Sequence, residues 1–450
     1  MIRRSLGGLF LAWTIALPMA HAYIRFAPNG GSPLIRADYA NVRFHINDGA
    51  VAGLNNADGQ PFITGDSDPV AALRLAAASW NSIPTTSAQF ASMDVTSNVN
   101  NSADGLNVIV FRDTPEIRSV LGSALAMNVY SIFPGGLIAE TDIIFNPTKT
   151  FSTTLAPGAF DIQSVAAHEL GHALGANHSG ILSATMFQST QPGNGSQRLL
   201  SADDAMFASA VYPAPGATPF GTISGTLTAA DGSSFRGGLV TAIDSETGAA
   251  IGSFSSLVDG TYSVQTPPGN YFVSAEPLGG AVQPGNLYLT TDQKPDTAVQ
   301  PGFVGGVDTP TVLSVAAGAV VNGDLAVSLG ASPISITQTA LGPAGGFGES
   351  LTFRTGPQSI VSGQAVDLLF FGPGIDASLS DQNVRILGPG IALRPGSVRL
   401  DPYILANGMP IMRATLDVTA RSNMATASLI ISKDGNSAVF SGGLILSASQ

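Results

Sequence analysis

The chain has 450 residues, of which 44% are hydrophobic and only 11% are charged, and its formal net charge is −12. At roughly 150 residues per domain this length predicts about three domains, and the acidic balance argues against a nucleic-acid groove or a patch for anionic membranes. The chain contains no cysteine, so disulfides and thiolate chemistry are excluded and any metal must be held by His, Asp or Glu.

The N-terminus has the pattern of an export signal. Two arginines precede an apolar run that is too short to span a bilayer, and the run ends in the small-x-small tripeptide Ala20-His21-Ala22. We therefore expect residues 1–22 to be a signal peptide that is cleaved after Ala22. The mature protein is then expected to be secreted, extracellular, periplasmic or associated with the cell surface, without a transmembrane anchor.

Residues 23–213 mix strand and helix patterns, which predicts an α+β domain. In residues 67–81, Asp68 is a candidate N-cap and Pro69 suits the first helical position, and apolar residues then recur at helical spacing. Alternating or continuous apolar runs predict strands at residues 41–47, 106–111 and 141–146. We expect the helix to pack on a sheet that these strands form.

A second helix is predicted in DIQSVAAHELGHALG, whose first residue is a candidate N-cap. Gly175 can adopt the left-handed conformation that ends a helix and lets the chain turn back. His168 and His172 are four residues apart, so they share one helix face and can bind the same cation. The turn at Gly175 brings His178 round as a third ligand.

Three neutral imidazoles would hold one Zn²⁺ and leave a fourth position for water, which is typical of catalytic zinc sites. Zinc lowers the pKa of that water towards ~7, and Glu169 is placed to take its proton and to pass it to a leaving amine. The short pattern HExxH also occurs by chance on surface helices. The full spacing HExxHxxGxxH is far more restrictive, because Gly175 and His178 must also be in place.

The run from His168 to His178 resembles the zinc motif of the metzincins, and Ser179 directly after it resembles the matrixin branch. The resemblance covers about residues 40–213 and implies a zinc endopeptidase with a mixed, twisted sheet and long helices. It also implies that Met186 is the methionine of the Met-turn, a hydrophobic floor beneath the zinc.

Two further stretches resemble parts of the matrixin domain. Residues 136–146 resemble the edge strand of its sheet, with which an extended peptide would pair through backbone hydrogen bonds. A substrate side chain would enter a pocket between the active-site helix and the segment after Met186. Residues 199–213 resemble the C-terminal helix, in which we expect Asp203 and Asp204 to be structural rather than catalytic.

The chain departs from vertebrate-type matrixins in its metal sites and its latency. Ile144 stands where those enzymes carry a structural-zinc histidine, so we expect a single, catalytic zinc ion. Calcium could bind through residues such as Asp142, but Asn146 stands where a second acid would be expected, so a calcium site is not supported. With no propeptide cysteine, either the enzyme emerges active or a short segment, residues 23–39, covers the zinc through Asp38.

The rest of the chain predicts β modules. Prolines in residues 214–221 indicate a linker. Residues 222–331 show short strands broken by Asp-Gly and Pro-Gly turns and resemble carboxypeptidase-regulatory modules, and residues 332–450 predict an immunoglobulin-like module. The predicted fold is therefore multidomain: an α+β metzincin-like catalytic domain at residues 23–213 followed by two all-β, sandwich-like modules.

The function predicted from these features is that of a secreted zinc metalloendopeptidase that cleaves protein or peptide substrates as a monomer. An alternative from another class stays open, namely a catalytically silent, metzincin-like adhesion or scaffold protein that binds through its β modules. The three histidines and Glu169 are all intact, which weighs against the alternative. Zinc-dependent hydrolysis of a non-peptide bond fits the motif, but no feature of the sequence supports it.

Overall fold

A computed structural model describes residues 25–27, 32–97, 103–279, 282–284, 294–346, 351–405, 408–421 and 424–447. The predicted signal peptide and its cleavage site lie outside these ranges. Within them, every helix is too short or too polar to cross a membrane. We refer to residues 25–213 as the N-terminal region, to residues 221–327 as the first β region and to residues 338–447 as the second β region.

The N-terminal region is built on a six-stranded mixed sheet. Its strands are β1 (Ile35–Arg36), β2 (Phe44–Asn47), β3 (Asp94–Thr96), β4 (Asn107–Val110), β5 (Ala126–Phe133) and β6 (Leu137–Phe145). They lie in the order β1-β6-β4-β2-β3, and β5 pairs with the other side of β6. The pairing of β5 with β6 is antiparallel, and the other pairs are parallel. A small parallel pair, β7 (Phe151–Ser152) and β8 (Phe160–Asp161), lies outside this sheet.

The outer strand beside β6 is β5, so the prediction that residues 136–146 form the edge strand is wrong. β6 is paired on both sides, with β1 and β4 on one and with β5 on the other. The reason is a tight hairpin between β5 and β6, in which Gly135 and Gly136 adopt φ values of 90° and 85°. Glycine tolerates such left-handed backbone at no steric cost, so the chain folds back and places β5 outside β6.

Four helices accompany the sheet: α1 (Pro69–Asn81), α2 (Pro115–Leu121), α3 (Ile162–Ala173) and α4 (Ala202–Val211). They contain 7 to 13 residues and are therefore shorter than the long helices that the resemblance implied. The predicted start of α1 is confirmed, since the Asp68 side chain accepts a hydrogen bond from Ala71 N and Pro69 opens the helix. α1 packs on α3, where the buried indole of Trp80 donates to the Ala167 carbonyl at 2.9 Å.

The start of α3 is fixed by a buried carboxylate. Asp161 is the N-cap, as predicted, and its Oδ2 accepts from Ser164 N at 2.9 Å. Both of its oxygens also accept from the Arg198 guanidinium, at 2.6 and 2.9 Å. The Asp161 side chain is fully buried, so this ion pair and the cap together fix where the histidine-bearing helix begins.

The first β region consists of two sheets that share one apolar core. One sheet holds β10 (Leu239–Asp244), β11 (Ala250–Phe254), β13 (Gly269–Glu276), β14 (Gly302–Phe303) and β15 (Leu313–Val315), and the other holds β9 (Gly221–Ala229), β12 (Thr261–Thr266), β16 (Val320–Asn322) and β17 (Leu325–Val327). Val240 and Val273 of the first sheet and Ile223 and Val264 of the second belong to the same buried cluster. β11 is the outer strand of its sheet.

The second β region repeats this two-sheet arrangement. One sheet holds β18 (Gln338–Pro343), β20 (Val366–Phe371), β22 (Ile391–Leu393), β23 (Arg399–Ile404) and β24 (Pro410–Val418), and the other holds β19 (Gln358–Val361), β21 (Val384–Leu387), β25 (Ala425–Lys433) and β26 (Asn436–Ser447). Leu368 and Met412 of one sheet and Leu429 and Leu444 of the other share a buried cluster. The chain is thus multidomain and mostly β, and the exact domain boundaries stay predictions.

Replacing Asp161 by asparagine should destabilise the N-terminal region by about 3 kcal/mol, because it leaves a partly buried guanidinium without its charge partner. The control is Asp94→Asn in the same region, whose pair with Arg43 is exposed and should contribute less than about 1 kcal/mol. Urea unfolding followed by tryptophan fluorescence measures both. Equal urea midpoints for the two variants would contradict the claim that the Asp161 ion pair stabilises the N-terminal region.

Candidate metal centre

The structure brings His168, His172 and His178 together at one end of the cleft between α3 and β5. Their potential ligand atoms all lie within 4.8 Å of one another. The ring centroids are 4.7, 5.2 and 5.0 Å apart for the pairs 168–172, 168–178 and 172–178. Two histidines on one helix face and a third after the turn can therefore hold a single metal ion.

Backbone carbonyls fix the two helical imidazoles. His168 Nδ1 lies 2.8 Å from the Thr185 carbonyl, and His172 Nδ1 lies 2.8 Å from the Ala176 carbonyl. A carbonyl accepts but cannot donate, so each Nδ1 carries the proton and each Nε2 presents its lone pair. Burial lowers the pKa of His168 to about 4 and that of His172 to about 3, which keeps both rings neutral, as metal ligands must be.

A tight turn carries the chain from the helix to His178. Gly175 adopts φ = 92°, and its N–H donates to the His172 carbonyl at 2.8 Å. A Cβ at this position would stand 2.6 Å from the Leu34 carbonyl oxygen. Both the backbone conformation and the lack of space require glycine here.

Met186 lies beneath the helix that carries the first two histidines, and it is buried. A Cβ added to Gly171 would stand 2.2 Å from the Met186 sulfur and 2.8 Å from the Trp80 ring. Glycine in a helix interior costs about 1 kcal/mol relative to alanine. The close approach of Met186 explains why glycine is nevertheless present between the two histidines.

Glu169 is buried next to the histidines and is held by a residue that the sequence did not single out. Asn128 of β5 donates through Nδ2 to Glu169 Oε2 at 2.5 Å and to the Glu169 backbone carbonyl at 3.1 Å. Burial raises the pKa of Glu169 to about 8, and the hydrogen bond from Asn128 opposes that rise. The only signal for Asn128 in the sequence is an asparagine within a strand, where this residue is disfavoured.

A cavity of about 430 Å³ opens onto the three histidines and Glu169. Residues of β5 and of α3 line the cavity. Its apolar part includes Leu121, Leu125, Val165 and Phe187. At the His172 end, the Tyr130 hydroxyl donates to the His172 carbonyl at 3.0 Å. The cavity can therefore take an extended chain along β5 together with one apolar side chain.

The N-terminal segment does reach this cavity, but not through Asp38. The Asp38 side chain accepts from Arg36 Nε at 2.7 Å and does not line the cavity, so the prediction that Asp38 covers the metal is wrong. The Arg36 side chain is buried and forms an ion pair with Asp38. Phe26 lines the cavity instead, with its N–H donating to the Gly175 carbonyl and its ring 5.7 Å from that of Tyr130.

The residues considered for calcium are occupied by contacts with the protein. Asn146 Nδ2 donates to the carbonyls of Gly122 and Ala124, at 3.2 and 2.6 Å. Asp142 Oδ1 accepts from Val108 N at 2.8 Å, and burial raises the pKa of this carboxyl to about 7. These contacts hold loops and strands together and add no support for a calcium site.

Comparison with known proteins agrees with the metal-centre geometry. The family model described as Matrixin (Peptidase_M10) matches residues 119–213. This stretch contains β5, β6, α3, the three histidines and α4. The match supports a matrixin-type domain with a metallopeptidase-like function, and the matrixin family implies zinc in general. No curated protein matches the chain.

Two crystal structures of BcpA, the major pilin subunit of Bacillus cereus, were also found among solved structures. They are 10% and 11% identical to this chain and cover 51% of it and 69% of the pilin, with a TM-score of 0.17. A structural similarity this low carries no argument about the fold or the function.

The donor set itself fits zinc. Two of the three imidazoles are neutral rings whose Nδ1 atoms are fixed by carbonyls, which is the arrangement that orients zinc-binding histidines. The third, His178, is buried, and its ring lies 5.2 and 5.0 Å from those of His168 and His172. No thiolate is available in a chain without cysteine, and no carboxylate is needed to complete the set.

Proposed function

We propose that the chain is a secreted zinc-dependent endopeptidase that hydrolyses peptide bonds. The observation that carries the proposal is the placement of Glu169 in the same cavity as three converging imidazoles. We extend the proposal to the organisation of the chain: a signal peptide at residues 1–22, a catalytic domain at 23–213 and β modules at 222–331 and 332–450.

Bound zinc supplies a Lewis acid that polarises a carbonyl and lowers the pKa of water. Glu169 acts as the general base and then as the general acid. Asn128 holds Oε2, so Oε1 is the oxygen that takes a proton from the attacking water and returns it to the leaving amine. The raised pKa of this carboxyl suits a group that must hold a proton between the two steps.

The substrate is positioned by β5 rather than by β6. Within the described residues β5 is the outer strand of the sheet, and an extended peptide can pair with the backbone N–H and carbonyl groups on its side away from β6. The side chain that follows the scissile bond enters the apolar part of the cavity between α3 and the chain after Met186. We therefore expect a preference for apolar side chains at that position.

Glu169→Gln should lower casein cleavage by about 10²–10⁴-fold, the usual contribution of general acid–base catalysis, while zinc stays bound. The amide has the same shape but cannot take a proton from water. Cleavage of casein by the purified protein, with zinc content measured in parallel, tests this. A chelator should abolish wild-type cleavage and added zinc should restore it.

If the wild type and Glu169→Gln are equally inert while both hold zinc, the peptidase proposal fails. The adhesion or scaffold alternative, in which the β regions bind partners and the metal is structural, would then be favoured.

Asn128→Ala should move the acid limb of the pH–rate profile to higher pH. The hydrogen bond from Asn128 stabilises the Glu169 carboxylate and lowers its pKa. Loss of this hydrogen bond therefore raises the pKa of Glu169 and the pH above which Glu169 is deprotonated and can act as a base. The control is Tyr130→Phe, which removes a hydrogen bond to His172 but none to Glu169. An acid limb that stays in place, or moves to lower pH, in Asn128→Ala would contradict this role.

A further inference from the structure

Residues 179–185, which we call the metal-site segment, join His178 to Met186 and are buried throughout. Connecting segments normally run over the surface, because their backbone groups need partners and solvent supplies them. Here both β regions cover the segment. The covering elements therefore lie close to the candidate metal site.

The segment makes close contacts with both β regions. A Cβ added to Gly180 would stand 2.6 Å from a methyl group of Leu239 in the first β region. One added to Gly442 in the second β region would stand 2.9 Å from the Ser183 hydroxyl. Ile181 belongs to a small buried cluster with residues of β10 and β11. The segment is thus enclosed by apolar packing from both sides.

One buried carboxylate links the beginning of this segment to the first β region. Ser179 Oγ donates to Asp203 Oδ2 at 2.6 Å, and the backbone N–H of Gly252 donates to Asp203 Oδ1 at 2.7 Å. Gly252 lies in β11, the outer strand of its sheet, so its N–H points away from β10 and towards Asp203. Ser179 is the residue directly after His178.

The neighbouring acid holds the other end of the segment. Asp204 accepts from Thr185 N at 2.8 Å and from Met186 N at 3.0 Å. The Thr185 carbonyl is the group that fixes His168 Nδ1. Two consecutive acids in the first turn of α4 therefore hold both ends of the metal-site segment, and one of them depends on β11 for a hydrogen-bond donor.

We propose that Asp203 is a positioning residue for the zinc site, through which β11 of the first β region holds the backbone that presents His178. The first β region is then a structural part of the metal centre and not an independent appendage. This inference rests on the proposed function, because it presumes that the three histidines bind zinc. Asp203 contacts neither metal nor substrate in this account.

The test is zinc affinity, measured on the full chain by competition with a chromophoric chelator. Gly252→Pro removes the N–H that Asp203 accepts, and proline is tolerated on an outer strand where that N–H is not used within the sheet. We expect about 10–100-fold weaker zinc binding, the usual cost of losing a residue that orients a ligand. Asp203→Ala, which leaves the β region unaltered, should show a loss of the same size.

The matched control is Gly252→Ala. It adds a Cβ about 3.0 Å from Ile181, as proline does, but keeps the N–H. Its zinc affinity should stay within about threefold of the wild type. Circular dichroism and thermal melting establish that each variant is folded, and if Gly252→Pro does not fold, Asp203→Ala decides the question.

The outcomes separate this inference from the proposed function. A wild type that binds no zinc overturns both. A wild type that binds zinc, beside folded Asp203→Ala and Gly252→Pro variants that bind it equally tightly, overturns only the positioning role of Asp203. Loss of affinity in Gly252→Ala to the same extent as in Gly252→Pro also overturns it, because steric pressure would then explain the effect.

Discussion

Three imidazole rings meet in a cleft where two of them are held by backbone carbonyls through Nδ1. This arrangement depends on the backbone around it, because the carbonyls of Thr185 and Ala176 must stay 2.8 Å from the rings that they orient. Asp161 fixes where the helix begins, and Gly175 allows the turn after it. The cap at Asp161 and the turn at Gly175 therefore place the helix and the turn that carry the histidines.

The chemistry of the site follows from what surrounds these rings. Burial keeps the two helical histidines neutral. Burial also raises the pKa of the Glu169 carboxyl, and the hydrogen bond from Asn128 opposes this increase in pKa. The same strand that supplies Asn128 is the outer strand of the described sheet and lines the cavity. Three histidines that could hold a metal ion, a buried carboxylate and the outer strand of the sheet thus share one cleft.

Local signals in the sequence predicted local features well. The caps at Asp68 and Asp161 and the glycine turn at position 175 depend on neighbouring residues, so they could be found without the fold. The edge strand was assigned wrongly. The position of β5 outside β6 depends on a hairpin and on strand pairing. The partners of Asn128 and Asp203 are distant in sequence, and no local pattern indicates such contacts.

We propose that His168, His172 and His178 together bind one zinc ion. A crystal grown with zinc, with anomalous diffraction recorded on both sides of the zinc absorption edge, tests it most directly. We expect a single strong peak at about 2.0–2.1 Å from a nitrogen of each ring. A folded protein without a peak between these rings, or with its zinc held elsewhere, would contradict it.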